Sequence, residues 1–336
     1  MKKILIIQSA FIGDVVLATG IAETLHRQYP DAQIDFLLRK GNEGLLKNHP
    51  FLQNVWVWDK KKNKQLNLLR LVATVRRQRY DAVINAHRFA SSGLITYFSG
   101  AAFKAGFDKN PFSFCYQNKV PHILSVPYEK APLHETDRNH ALIAPLTSLK
   151  KCLPRLYPSH DDQEQVALYQ SQPYVCIAPS SVWWTKQFPA EKWASLINDI
   201  PSAYTVYLLG APGDDVLASR IIQMVQHPKV VSLCGKLNFL ASAALMKGAA
   251  MNYANDSAPL HFATAVQAPM TAVFCSTVPA FGFTPLSQQG KVVEVAERLN
   301  CRPCGLHGRK ACPEGHFKCA QEITNKQLLW WISKQI

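Results

Sequence analysis

Twice along this chain, short runs of Val, Ile, Leu and Phe alternate with stretches whose apolar residues recur at helical spacing. That alternation is the signature of a parallel sheet covered by helices on both faces, because strands buried on both sides are apolar throughout and their crossovers must be helices. In the first half the pattern predicts strands over 3–7, 33–38, 55–58, 80–85 and 103–106. Val15, Leu17, Ala18, Ile21, Ala22 and Leu25 predict a helix starting near Asp14, with further helices over 66–78, 90–99 and 134–149. In the second half, strands are predicted over 174–178, 205–209, 230–233, 251–254 and 270–274, and helices over 190–199, 214–225, 239–246 and 259–266. A polar stretch over 154–172 separates the two series, so the chain reads as two domains, 1–158 and 159–336. The halves share no internal sequence repeat.

A length of 336 residues with 48% hydrophobic and 18% charged residues is enough for two separate cores. The longest apolar runs are broken by Pro, Gly or charge well short of the roughly 20 residues a membrane-spanning helix needs, so a soluble protein is expected. The opening two lysines suit a signal peptide, but the apolar run after them stops at Gln8 and an acid follows at Asp14, which fits a first buried strand better. Five of the nine cysteines are scattered singly, unlike a secreted disulfide framework, and a reducing cytoplasm is expected.

The net charge is +14, with 23 basic against 11 acidic side chains before Asp161 and 14 against 12 from there on. An excess confined to the first half favours a polyanionic partner: nucleic acid, an anionic membrane surface, or a substrate carrying phosphates and carboxylates.

In open α/β sheets ligands bind beyond the carboxyl ends of the strands, so three strand ends carry the functional expectation. In QSAFIGDVVLATG, Asp14 stands where the first helix starts; it reads either as a capping acid or as a general base for an acceptor hydroxyl. In IAPSSVWWTKQFPAEKW, Ser180, Ser181 and Lys186 supply hydroxyls and a cation suited to a diphosphate, or simply decorate a loop. In NYANDSAPLHFATA, Asp256, Ser257 and Ala258 lead into a helix opened by Pro259 whose free N–H groups suit a phosphate. Asp256 would repel that phosphate, so it either caps the helix or orients its neighbours, and His261 is as much a packing residue as a ligand contact. Neither half carries GxGxxG or GxxxxGK[ST], which removes the usual phosphate loops of dehydrogenases and Walker-type ATPases.

Near the end, Cys301, Cys304, Cys312 and Cys319, with His307 and His316 close by, leave structural zinc, disulfides and free thiols open. The first pair has zinc-knuckle spacing and the second is wider.

The strand followed by IGDVVLATG, the Ser180–Ser181 and Lys186 segment ahead of FPAEKW, LLGAPGDD, and NDSAPLHFATA, in this order, resemble the heptosyltransferase family of bacterial lipopolysaccharide synthesis, glycosyltransferase family 9, over essentially the whole chain. The resemblance implies an α/β GT-B fold, two doubly wound Rossmann-like domains facing a central cleft. It implies an acceptor-binding first domain, a nucleotide-sugar-binding second domain, and an inverting transfer that needs neither cofactor nor catalytic metal. The family's catalytic aspartate falls on Asp14. Its donor contacts fall on Ser180, Ser181, Lys186, Asp256, Ser257, Ala258 and His261, and a ribose-contacting acid falls on Asp214, or on Asp215. The phosphate turn departs from the usual family pattern, reading Asp-Ser-Ala-Pro where many relatives have glycine after the hydroxyl residue.

The expected donor is ADP-heptose or a related nucleotide sugar, and the expected acceptor is an anionic glycolipid, the lipid A-Kdo inner core. Lys60, Lys61, Lys62 and Lys64 are candidates to meet that acceptor, or the anionic lipid at the cytoplasmic face of the inner membrane, with Arg76, Arg77 and Arg79. No nucleic-acid partner is expected, and the oligomeric state stays open. The alternatives are a family 9 transferase with another donor, a nucleotide-sugar-binding protein without activity, and a nucleic-acid binder with a zinc module.

Overall fold

The computed structural model describes residues 1–126 and 132–331, which form two compact units. The first comprises Met1–Leu124 and Leu133–Tyr157, and the second comprises the chain from Pro158 onward together with Ser125, Val126 and Pro132.

The first unit runs β1 (Lys3–Ile7), α1 (Ile12–Gln28), β2 (Gln33–Arg39), β3 (Leu52–Trp58), α2 (Lys64–Gln78), β4 (Ala82–Asn85), α3 (Ala90–Phe98), β5 (Phe103–Phe107), β6 (Asn118–Val120) and α4 (Glu135–Ala141). Its strands pair in parallel in the order β3-β2-β1-β4-β5-β6. Ile4 to Ile7 are fully buried, as a central strand covered on both faces must be.

The helix that carries Asp14 is buried along Val15 to Leu25 because a second segment crosses it. Thr19 Oγ1 and Thr24 Oγ1 accept from the backbone N–H of Arg155 and Cys152 at 2.9 and 3.0 Å while donating to carbonyls of their own helix. Gly20 makes room for this crossing: a Cβ there would lie 2.9 Å from the Cys152 carbonyl oxygen. α4 packs on α1 and runs the same way, since beyond it Thr147 Oγ1 donates to Gln28 and the Leu146 carbonyl accepts from Tyr29, both at the far end of α1. Glu135, the first residue of α4, is thereby brought to the end of α1 where Asp14 sits.

The second unit runs α5 (His160–Ala167), β7 (Tyr174–Ala178), α6 (Ala190–Asn198), β8 (Thr205–Leu208), α7 (Asp215–Met224), β9 (Val230–Ser232), α8 (Phe239–Gly248), β10 (Met251–Asn255), α9 (Ala258–Ala265), β11 (Met270–Phe274), β12 (Gly290–Glu294), α10 (Lys318–Gln321) and α11 (Asn325–Leu328). The order β12-β11-β10-β7-β8-β9, again all parallel, repeats the arrangement of the first sheet. Trp193, Ile197, Val206, Tyr253 and Phe188 fill its core, and Cys319, Ala320 and Ile323 from the C-terminal segment join them.

Three expectations are corrected. The helix expected over 134–149 stops at Ala141 and gives way to a short 3-10 turn, Ala144–Leu146, because Pro145 cannot continue the helical hydrogen-bond ladder. The polar stretch over 154–172 is not merely a linker, since Ser159 caps α5 within it by accepting from the Asp162 N–H at 3.2 Å. Two edge strands, β6 and β12, were not foreseen: NKV and GKVVE mix polar with apolar residues, as edges do when only one side is paired.

Candidate functional site

Both sheets have the strand order of a doubly wound fold, in which the chain reverses between the first and fourth strands of each series. A ligand is expected at each reversal point, between the ends of β1 and β4 and between the ends of β7 and β10. Asp14 in the first unit, and Ser180, Ser181, Lys186, Asp256, Ser257 and Ala258 in the second, fall there.

In the first unit, Asp14 is the third residue of α1, and its Oδ2 accepts from the Phe11 N–H at 3.1 Å. The capping reading is therefore correct as geometry, and it aims the carboxyl beyond β1. Burial, and then the negative charge of Glu135, push the Asp14 carboxyl up to about 6, against the opposing pull of the Phe11 N–H and of Arg88. The carboxylate therefore predominates at neutral pH while keeping appreciable basicity.

Cations from the ends of neighbouring strands gather in this region. Arg39, at the end of β2, lies over the Phe11 ring at 5.2 Å. Lys60, just past β3, donates to the carbonyl of Ser9 at 2.6 Å and to its hydroxyl at 3.2 Å, and lies 4.5 Å from the centre of the Trp58 ring. Burial, with Arg39 and Lys64 nearby, lowers its ammonium to about 8. Lys61, Lys62 and Lys64 are exposed, so of the four lysines singled out in the sequence only Lys60 turns to the strand ends.

The sequence reading missed a buried polar layer beneath Asp14. His87, after β4, shares its Nδ1 with the hydroxyls of Ser9 at 3.3 Å and Ser92 at 3.2 Å, and burial with Lys60 and Arg88 nearby lowers its pKa to about 3, so it is neutral. Arg88 Nη1 lies 3.4 Å from His122 Nδ1, and His122 Nε2 lies 3.6 Å from Glu135 Oε2. Arg138 Nε donates to the same Glu135 oxygen at 2.7 Å. Burial alone would raise the Glu135 carboxyl, but His122 and Arg138 outweigh it and hold Glu135 ionised. These residues are far apart in sequence; their only sequence signal is that Arg88 and His87 directly follow a strand.

In the second unit, the loop after β7 is tied at both ends by Asn255, the last residue of β10. Its Nδ2 donates to the Pro179 carbonyl at 2.7 Å and its Oδ1 accepts from the Phe188 N–H at 2.9 Å. Within this loop lie Ser180 and Ser181, both partly exposed, and Lys186. Lys186 Nζ donates to Asp256 Oδ2 at 2.6 Å, and Thr277 Oγ1 donates to the same oxygen at 2.7 Å. The capping alternative for Asp256 is thus corrected: Ser257 is the N-cap residue of α9, without a side-chain capping bond, and Asp256 orients Lys186 instead. Ala258 opens α9; Pro259 has no N–H and the Leu260 N–H donates to the Ser257 carbonyl at 3.2 Å, and His261 is buried one turn in, its ring 6.3 Å from that of Phe283. Asp214 lies elsewhere on the sheet, after β8, where its Oδ2 accepts from the Ala211 N–H at 2.7 Å; Asp215 accepts from Ser232.

Among the described residues no three or more His, Cys, Asp or Glu side chains are grouped to hold a metal ion, and all nine cysteines are free thiols. Cys301, Cys304, Cys312 and Cys319 line a cavity of about 130 Å³, with Thr185, Ser276 and Arg309 in its wall. Burial, with the neighbouring thiols, pushes Cys304 up and Cys319 to about 12, so both are protonated thiols that pack as small apolar groups.

The family model described as glycosyltransferase family 9 (heptosyltransferase) matches residues 68–315. The chain belongs to glycosyltransferase family 9. It is a glycosyltransferase, which sets aside a binding protein without activity. It is 28% identical over 281 residues to lipopolysaccharide heptosyltransferase 3 of Escherichia coli, covering 80% of this chain and 82% of that one. To lipooligosaccharide heptosyltransferase 2 of Haemophilus influenzae it is 23% identical, covering 88% and 89%. The family 9 glycosyltransferase of Veillonella parvula has a similar structure, with a TM-score of 0.84 at 19% identity over 99% of this chain and 96% of that one. E. coli heptosyltransferase WaaC, solved with ADP, gives 0.75 at 18% identity over 99% and 100%. These likenesses agree with the two-sheet α/β architecture expected for the GT-B class. No helix among the described residues is long and apolar enough to cross a membrane.

Proposed function

We propose that this family 9 glycosyltransferase moves a heptose from ADP-heptose onto the inner core of lipopolysaccharide, with inversion at the anomeric carbon and without a catalytic metal. The donor and acceptor rest on one observation: curated relatives that align over four fifths or more of the chain are named lipopolysaccharide or lipooligosaccharide heptosyltransferases.

The mechanism follows from the two strand-end constellations. Asp14, carboxylate at neutral pH and more basic than an ordinary aspartate, takes the proton of the acceptor hydroxyl as its oxygen bonds to the anomeric carbon. The anomeric carbon–oxygen bond to the diphosphate breaks in the same displacement, which inverts the configuration. Lys186, with the hydroxyls of Ser180, Ser181 and Ser257 and the Ala258 N–H at the start of α9, receives the charge that grows on the departing diphosphate. A lysine on the leaving group is the charge stabilisation that a metal ion supplies in other transferases, which is the ground for the metal-independent reading. His261 and Asp214 are assigned to the donor side, on the base or ribose.

The first unit is the acceptor domain. Arg39, Lys60 and Arg88 give it a cationic field suited to phosphates and keto-acid carboxylates. A lipid-anchored acceptor brings the enzyme to the cytoplasmic face of the inner membrane, where a net charge of +14 favours contact with anionic lipid. A thermal-shift panel of nucleoside diphosphates and their sugars tests the donor: ADP and ADP-heptose should raise the melting temperature more than the uridine and guanosine series. Stabilisation by UDP-sugars alone would overturn the proposed donor.

A further inference from the structure

The C-terminal segment 301–319 is fastened to the neighbours of both members of the Lys186–Asp256 pair. On one side, Thr185 and Arg309 are joined through two polar groups of each: the Thr185 N–H donates to the Arg309 carbonyl at 3.1 Å, and the Arg309 N–H donates to Thr185 Oγ1 at 2.7 Å. Ser276 Oγ also donates to Thr185 Oγ1 at 3.0 Å, and the Thr185 hydroxyl donates to the Arg309 carbonyl at 3.3 Å. A hydroxyl has one proton and two lone pairs, so this fully buried group is saturated.

On the other side, buried Arg302 donates to the carbonyls of Cys275 at 2.7 Å, Phe274 at 3.2 Å and Thr277 at 2.5 Å, and Thr277 is the residue whose hydroxyl holds Asp256. The Cys304 N–H closes the frame on the Ser276 carbonyl at 2.9 Å. Gly308 lies against the stem of the lysine itself: its φ is +82°, and a Cβ there would fall 2.9 Å from Thr185 Oγ1 and 3.0 Å from Lys186 Cγ. The Trp184 and Phe317 rings meet at 4.7 Å alongside.

We infer that the cysteine-rich segment is the positioning element of the donor site, a clasp that holds Lys186 and Asp256 in register through Thr185 and Arg302. This rests on the reading that Lys186 contacts the donor diphosphate. Thr185 is on this account a positioning residue: it touches no substrate, and its hydroxyl matters only through the lysine that follows it.

The test is a double-mutant cycle read by calorimetric titration with ADP and by steady-state transfer kinetics on the full chain. Thr185→Val should weaken ADP binding about tenfold and raise the donor KM more than it lowers kcat, because a small misplacement of a charged contact is costly. Thr185→Ser should restore wild-type binding. In a Lys186→Ala background, Thr185→Val should add no further loss. Wild-type ADP affinity in Thr185→Val, or a full additive loss in the Lys186→Ala background, would overturn the clasp. Should Thr185→Val fail to fold, Ser276→Ala, which removes one donor to the same hydroxyl, is read in the same cycle with the same two outcomes. Lys186→Ala with undiminished ADP affinity would strike the donor-site reading itself, whereas a weakened Lys186→Ala beside a neutral Thr185→Val strikes only the clasp.

Discussion

Lys186 Nζ donates to Asp256 Oδ2 at 2.6 Å, so a lysine from the loop after β7 and an acid from the turn after β10 meet at the reversal point of the second sheet. The pairing answers the difficulty of an acid next to the proposed diphosphate, because the acid's charge is engaged by the cation assigned to that ligand.

Removing Lys186 should therefore cost more than an exposed surface charge would. Lys186→Ala is expected to weaken ADP binding by about 1.5–3 kcal/mol, the range for a hydrogen bond to a charged group. Asp256→Asn should lower kcat with a smaller change in ADP affinity, since the lysine loses its orienting partner while a negative charge that repels the diphosphate is removed with it. Titration calorimetry and initial rates measure both.

The raised pKa of Asp14 carries a stability consequence of definite sign. Its ordinary value is 3.8 and the fold lifts it to about 6, so the folded state disfavours the carboxylate. Below pH 3.8 folded and unfolded chains both carry the neutral acid and nothing is lost; the penalty develops as pH rises from 3.8 to about 6 and is complete above it. Asp14→Asn should thus stabilise the protein by about 2–3 kcal/mol at pH 8 and leave it unchanged near pH 3.5, which thermal denaturation at the two pH values measures.

Glu135 supplies part of that shift, and its own charge is held by Arg138 and His122. In Glu135→Gln the acidic limb of the kcat/KM profile, expected near pH 6 in the wild type, should move to lower pH. The same variant should unfold at a lower temperature, because Arg138 is left buried beside a neutral group. A limb that stays in place would separate Glu135 from the titration of Asp14.

Lys60 should matter more to the acceptor than its neighbours. Lys60→Gln is expected to raise the acceptor KM about tenfold at pH 7, and Lys61→Gln or Lys62→Gln by less than twofold, as for exposed surface charges. With its ammonium lowered to about 8, Lys60 loses its charge as pH rises through that value, so the wild-type acceptor KM should rise above pH 8 while that of Lys60→Gln stays flat.

How much of this was legible in the sequence depended on range. β1, α1 and β7 were readable from local periodicity alone, and Asp14, Ser180, Lys186 and Asp256 from their position just past strand ends. Pro145 and the mixed edge strands β6 and β12 defeated pattern reading because one residue or one unpaired side decides them. Arg39, Arg88 and Glu135 were invisible as a group, since only the strand order and the parallel run of α1 and α4 bring them to Asp14. The spacing of the cysteine-rich segment raised the question of a metal and gave no sign of the backbone contacts it makes through Arg309 and Cys304. Spacing along the chain reports side chains and is silent on where a carbonyl or an N–H points.

The central claim is that Asp14 is the base. Single-turnover transfer by Asp14→Asn, with ADP affinity measured on the same sample, tests it most directly. The account predicts a rate lower by about 10²–10⁴, the usual worth of a general base, with ADP binding unchanged. A rate within about threefold of wild type, at undiminished ADP affinity, would contradict it.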